Sequence, residues 1–371
     1  MLNYEERTKD NQYKIDMFKM KQKLPYEAKV LYAANRAREF YSHMNGDCFV
    51  SVGGLDSITL LLFLRSILID VPAVSVSSLE DKSIQQIHKQ LGVIRLKPVL
   101  HENGKPWRKV DIIREFGYPV LSKEIAGKIS LLQHPSENNA TVRHAIITGE
   151  TGEYGGKRTG TRMKLSQKWL NLFGGPENEK EGVDYKTAPF LVSDKCCYYL
   201  KEKPCDDYAK ESGRKPYVGL MASEGGRRQK ALMLNGCNYY GKTTIRSAPF
   251  AIFNRQDILQ LAIDLHVPVP EIYGEIVRDA DGTLRTTKAQ RTGCSMCGFG
   301  IHLEKRPNRF DRLYERNPKE WDFWMNRCDT DENGNPCGWG RVLDYIGVGW
   351  RQECDDQIHW DDIDRQSVEK G

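Results

Sequence analysis

Apolar and polar positions alternate along this chain in blocks of changing period. Residues 1–45 are charged and helical in pattern, and residues 27–39 place Val30, Ala33, Ala34 and Ala37 on one stripe. Residues 48–52 read as a short buried strand, Gly53 and Gly54 break it, and Asp56 and Ser57 open a segment, 58–69, that is apolar on nearly all sides. A second strand over 71–76, a polar helix over about 83–91 and an apolar run at 93–96 follow. Further on, 217–222 reads as a strand, 223–228 as a turn, 248–253 as a strand and 255–265 as a helix with Asp257 near its start. Such alternation predicts an α/β protein with a doubly wound, mostly parallel sheet, flanked by helical N-terminal and C-terminal elaborations. The expected division is an N-terminal helical segment over 1–45, a nucleotide-binding and cysteine-bearing domain over 46–310, and a Trp-rich extension over 311–371.

Between 152 and 184 the chain is rich in Gly, Lys, Arg, Asn and Pro, which predicts surface loops around a short helix carrying Trp169. Five of the seven tryptophans lie beyond residue 310, at 321, 324, 339, 350 and 360, where core packing is a commoner role than base stacking.

Composition narrows the class. With 39% hydrophobic and 28% charged residues in 371, the chain is neither disordered nor membrane-spanning in character. Its longest apolar stretch contains Arg65 and is too short to cross a bilayer, and the N-terminus lacks an apolar leader, so a cytoplasmic protein without membrane contact is expected. The net charge of +5 does not by itself announce nucleic acid. Lys305, Arg306, Arg309 and Arg312 around Phe310 suit a nucleic-acid backbone or a solvated helix equally. Ten cysteines without a secretion signal are expected to be reduced. Cys196, Cys197 and Cys205 form one group, and Cys294 with Cys297 a C-x-x-C pair, a pattern that suggests ligands to a common soft-metal centre, iron–sulfur or zinc, with unmetallated buried cysteines as the remaining alternative.

The loop Ser51-Val-Gly53-Gly54-Leu-Asp56-Ser57 stands where a strand ends and a helix begins. Glycines let the backbone approach a ligand closely, and the helix start offers unpaired N–H groups to an anion. The Walker pattern is absent. The segment resembles the pyrophosphate loop S-G-G-x-D-S of the adenine-nucleotide α-hydrolase superfamily, with Val52 at the usual Ser position.

Three further segments, in order, resemble the iron–sulfur branch of the phosphoadenosine phosphosulfate reductase family. They are Cys196-Cys197 with Cys294-Ser-Met-Cys297; residues 219–228, with Glu224 and Arg228 matching but Met221 replacing an arginine; and residues 248–268. The resemblance implies a [4Fe-4S] cluster on Cys196, Cys197, Cys294 and Cys297, with Cys205 as a spare. It implies nucleotide contacts from Ser51, Gly53, Gly54, Asp56, Ser57, Glu224 and Arg228, catalytic roles for Asp56, Ser57 and Arg228, and Mg²⁺ with ATP.

The favoured chemistry is ATP cleavage to AMP and pyrophosphate coupled to sulfur transfer, with a sulfur donor or reductant protein as partner and nucleic acid as a candidate substrate. The first alternative is reduction of an adenosine phosphosulfate, for which Cys354, between Glu353 and His359, is the candidate nucleophile. The second is a non-enzymatic iron–sulfur sensor or nucleic-acid-binding module, motivated by Val52 and Met221.

Overall fold

The computed structural model describes residues 4–76, 80–150, 163–175 and 186–351. It divides into two compact units interleaved along the chain: Met1–Lys109 with Lys195–Ser295, and Val110–Asp194 with Met296–Gly371. Residues 46–310, expected as one segment, contribute to both units.

The first unit is built on a six-stranded sheet of β1 (Cys48–Ser51), β2 (Ala73–Ser75), β3 (Ile94–Arg95), β4 (Lys215–Val218), β5 (Asn238–Tyr240) and β6 (Ile245–Ser247). The order is β3-β2-β1-β4-β6-β5, all neighbours parallel except the edge pair β5 and β6. The chain thus winds outward from β1 to β3, then returns to place β4 on the other side of β1. Ser51 lies opposite Val74 on one side and Val218 on the other. This reversal makes the carboxyl ends of β1 and β4 the switch point of a doubly wound sheet, the place where open α/β sheets bind ligands. Cys48, Phe49 and Val50 are buried, as a central parallel strand covered on both faces requires.

The helix Leu55–Ser66 follows β1 and is apolar almost all round, burying Leu55, Ile58, Leu60, Leu61, Phe63 and Leu64 while Asp56 and Ser57 occupy its first turn. The stripe Ala33, Ala34, Ala37 and Phe40 of the helix Tyr26–His43 belongs to the same core. That helix is fixed by a buried ion pair between Lys29 Nζ and Asp257 Oδ2, 2.8 Å long. Asp257 also closes a capping box with Asn254 at the start of the helix Arg255–Asp264.

Two strand expectations are corrected. Residues 248–253 form buried turns, because the ladder ends at Ser247 and Pro249 has no N–H to extend it; Phe250 and Phe253 stack there with ring centroids 4.9 Å apart. The strand expected over 217–222 runs over Lys215–Val218, and a 3₁₀ turn occupies Ala222–Glu224.

The second unit is mainly helical, with Lys123–Gln133, Ala140–Thr148, Gln167–Phe173, Arg309–Arg316, Pro318–Asn326 and Trp339–Ile346. Trp169, Trp321, Trp324 and Trp339 share one core with Tyr118, Phe173 and Phe310. Leu303 is 79% exposed, whereas Ile301 is buried. Arg306 and Arg309 of the basic segment are ion-paired to Asp311 and Glu304. No helix among the described residues is long and apolar enough to cross a membrane.

Candidate functional site

At the end of β1 the loop reaches the helix Leu55–Ser66 through Gly53 and Gly54. Ser57 Oγ accepts from Gly53 N–H at 2.7 Å and donates to Gly54 O at 2.9 Å, so this hydroxyl is committed to the shape of the loop. Gly53 O accepts from His88 Nε2 at 2.8 Å. His88 is buried on the helix Lys82–Gln90, and burial holds its imidazole below the ordinary pKa, so the neutral ring donates through Nε2–H. Fixing this carbonyl turns the Gly54 N–H the opposite way, since the peptide is planar and trans. Gly54 N–H and Asp56 N–H have no protein acceptor among the described residues. Leu55 N–H donates to Tyr273 Oη at 3.1 Å.

Two glycines are dictated by space. A Cβ at Gly54 would lie 2.3 Å from Tyr273 Oη, and one at Gly219, just past β4, would lie 3.2 Å from Ser57 Cα. The β4 loop therefore rests directly on the first turn of the helix Leu55–Ser66.

Charged groups surround the loop in partnered sets. Asp56 pairs with Arg255; burial raises the Asp56 pKa, against the pull of that guanidinium. Glu224 accepts from Arg228 Nη1 at 2.9 Å and lies 3.9 Å from Arg291 Nη2, joining the β4 loop to the segment that ends in Cys294. Glu80 accepts from Lys201 Nζ at 2.9 Å, and its Oε1 lies 3.8 Å from where a Cβ of Gly53 would stand. Lys201 also hydrogen-bonds Cys294. Burial alone lowers its pKa, but Cys294 and Glu80 outweigh burial and hold the ammonium above the ordinary lysine range. Lys201 projects from a π-helical turn, Tyr198–Glu202, that begins immediately after Cys196 and Cys197. Cys205 Sγ sits 3.7 Å from Ser51 Oγ; burial raises its pKa, opposed by Ser51 and Lys201.

Ser51, Gly53, Gly54, Asp56, Ser57, Glu224 and Arg228 are thus all in the first unit, joined by the contacts above. Cys196, Cys197, Cys205 and Cys294 belong to this unit, and Cys297 to the second. There Arg309 meets Cys297 and is anchored by Glu304. Val52 and Met221, the departures from the motif patterns, are both buried in the core, where apolar side chains are what packing demands. Asp81 caps the helix Lys82–Gln90, its carboxylate accepting from Ser83 N–H at 2.9 Å. Cys354, Glu353, His359 and Trp360 lie outside the described residues, as do Ser77 and Ser78.

Sequence reasoning missed His88, Tyr273 and Thr292 as parts of the loop. Ile84 and His88, four apart on one helix, carried a faint signal, because both face inward. Tyr273 carried none, being brought to Gly54 from more than two hundred residues away.

None of the nine cysteines among the described residues is in a disulfide, and thiolate donors suit a soft metal. Among the described residues, however, no three His, Cys, Asp or Glu side chains are arranged to hold a metal ion, so no cage stands assembled there for an iron–sulfur cluster or for Mg²⁺.

No family model and no curated protein matches the chain. Among solved structures it is similar to a crystal structure of phosphoadenylyl-sulfate (PAPS) reductase from Candida auris in its phosphate complex. Identity is 12% over 76% of this chain and 98% of that one, and the TM-score is 0.34, a likeness too slight to carry a conclusion. What the structure itself defines is a mixed α/β protein with a mostly parallel, doubly wound sheet and a glycine loop at its switch point.

Proposed function

We propose that the first unit binds the phosphate chain of an adenine nucleotide across residues 51–57, and that this nucleotide is ATP, cleaved between its α and β phosphates. The observation that carries the reading is the placement of the glycine loop at the switch point between β1 and β4, with the Gly54 and Asp56 N–H groups left without acceptors among the described residues and Arg255 anchored on Asp56. Lys201, Arg228, Arg255 and Arg291 are paired with Glu80, Glu224 and Asp56. Cations so largely paired suit a nucleotide that brings its own divalent cation better than a bare polyanion.

In this reading an acceptor oxygen forms a bond to the α phosphorus, the bond from that phosphorus to the bridging oxygen breaks, and pyrophosphate leaves. A sulfur nucleophile from a donor then displaces AMP from the acceptor. The loop N–H groups and Arg228 offset charge growing on the leaving pyrophosphate, Asp56 and Arg255 hold the helix start in place, and Ser57 keeps the loop in shape. Mg²⁺ enters with the nucleotide and supplies further charge neutralisation.

A [4Fe-4S] cluster on Cys196, Cys197, Cys294 and Cys297 is the finer form of the proposal. It is supported by the soft donor chemistry of four thiol side chains and by the cations beside Cys294 and Cys297, and no step above runs through it. Anaerobically purified protein with stoichiometric iron and labile sulfide supports the cluster; zinc alone, or neither metal, removes it. Ten cysteines in a chain of this composition also agree with a reducing compartment such as the cytoplasm. A nucleic acid as acceptor belongs to the same proposal, and acceptor screening with ATP present tests it.

Separate incubations of the purified protein with MgATP and with adenosine phosphosulfate decide the chemistry. AMP and pyrophosphate in equal amounts from ATP support the proposal. Sulfite and AMP from the phosphosulfate with a dithiol supplied as the two-electron reductant, and ATP untouched, replace it with the reductase reading. Failure of both nucleotides to bind leaves the non-enzymatic reading.

A further inference from the structure

The hydroxyl that the loop motif offers to a phosphate is Ser57, yet its oxygen is already occupied on both sides by the loop backbone, through Gly53 N–H and Gly54 O. Another hydroxyl stands at the same place. Tyr273 is buried with its Oη against Leu55 N–H, and Thr292 Oγ1 is 2.7 Å from that oxygen. A buried phenol hydrogen needs an acceptor, and among the described residues the one beside Tyr273 Oη is Thr292. With Tyr273 donating to it, the half-exposed Thr292 keeps its own hydroxyl hydrogen for another acceptor. Thr292 Oγ1 also lies 3.2 Å from the position a Cβ of Gly54 would take.

We propose that Thr292 is the hydroxyl donor to the phosphate chain in place of Ser57, and that Tyr273 is a positioning residue that orients it. A donor chain runs from Leu55 N–H through Tyr273 to Thr292, and each bond in such a chain polarises the next. The chain extends the positive end of the helix Leu55–Ser66 outward to the ligand. It explains why Gly54 has no side chain, since any Cβ there displaces the Tyr273 hydroxyl. It also seats the ligand on the segment that carries Arg291 and Cys294, two residues either side of Thr292 or closer.

The inference rests on the proposed phosphate site, and titration calorimetry with magnesium pyrophosphate separates the two. Wild-type binding, with an about 10-fold loss in Thr292→Val and retention in Thr292→Ser, supports it. Tyr273→Phe, which keeps the ring packing but strands Leu55 N–H, is expected to weaken binding less than Thr292→Val and to lower the melting temperature modestly. Equal binding by wild type and Thr292→Val overturns the inference and leaves the phosphate site standing. An equal loss in Thr292→Ser and Thr292→Val also overturns it, because the hydroxyl is then not what matters. A wild-type protein that binds neither pyrophosphate nor ATP overturns the phosphate site and the inference together.

Discussion

Cys294 and Cys297 are separated by two residues, but their supports are built from different materials. Cys294 lies on a polar loop of the first unit, with Lys201 and Glu80 beside it and Thr292 tied to Tyr273. Cys297 lies in the second unit, where Arg309 and Glu304 stand beside it and the next residue, Gly298, leaves no room for a side chain: a Cβ there would fall 2.3 Å from the Trp339 ring. Each thiol therefore has one cation held by one carboxylate. The first is positioned by hydrogen bonds around the glycine loop and the second by aromatic packing. The difference teaches that a short motif can be carried by two independently packed supports, so that damage to one need not reach the other.

The largest effects are expected from each unit's own buried supports. Trp339→Ala removes a fully buried indole and is expected to destabilise the second unit by about 3 to 5 kcal/mol, read from its denaturation midpoint. Alkylation of Cys297 followed by mass spectrometry should accelerate while that of Cys294 does not; equal acceleration of both thiols refutes the separation. Lys29→Ala strands the buried Asp257 and is expected to cost the first unit about 3 to 5 kcal/mol, with the reverse alkylation pattern.

Smaller changes sharpen the contrast. Glu80→Gln and Glu304→Gln each take the carboxylate from one cation and are expected to cost about 1 kcal/mol in urea titrations, less at high salt because both pairs are partly exposed. Glu80→Gln alone should also weaken magnesium pyrophosphate binding, since only Glu80 stands beside Gly53.

The smallest expected effect is a pH dependence confined to the first unit. Burial keeps the folded His88 pKa below its unfolded value of about 6.5, so the unfolded chain binds the proton more readily. The contribution is complete above that value and is lost as pH falls from it toward the folded pKa. Glu80, which favours the protonated ring, opposes the shift. Melting curves between about pH 7 and 5 should therefore flatten in His88→Gln, and an unchanged acid limb would refute the role of His88.

How much of this was legible beforehand depended on range along the chain. The alternation of short apolar strands with helices announced the parallel sheet, because period and turn residues are local properties. The glycine loop was legible for the same reason, as strand, glycines and helix start are consecutive. The strand expected at 248–253 was misplaced because a fully buried turn is as apolar as a buried strand, and only the end of the ladder at Ser247 distinguishes them.

By itself, the sequence determined the order of elements around β1, the chemistry available at Ser51 to Ser57, and the apolar stripes that build both cores. Only the tertiary structure decided that Ser57 is spent on its own loop, that His88, Tyr273 and Thr292 complete that loop, and that the two cysteines of the C-x-x-C pair fall in different units. The physical reason is that a hydrogen bond between distant residues leaves no periodic trace in the chain, whereas burial of a helix or strand face repeats with the geometry of the backbone.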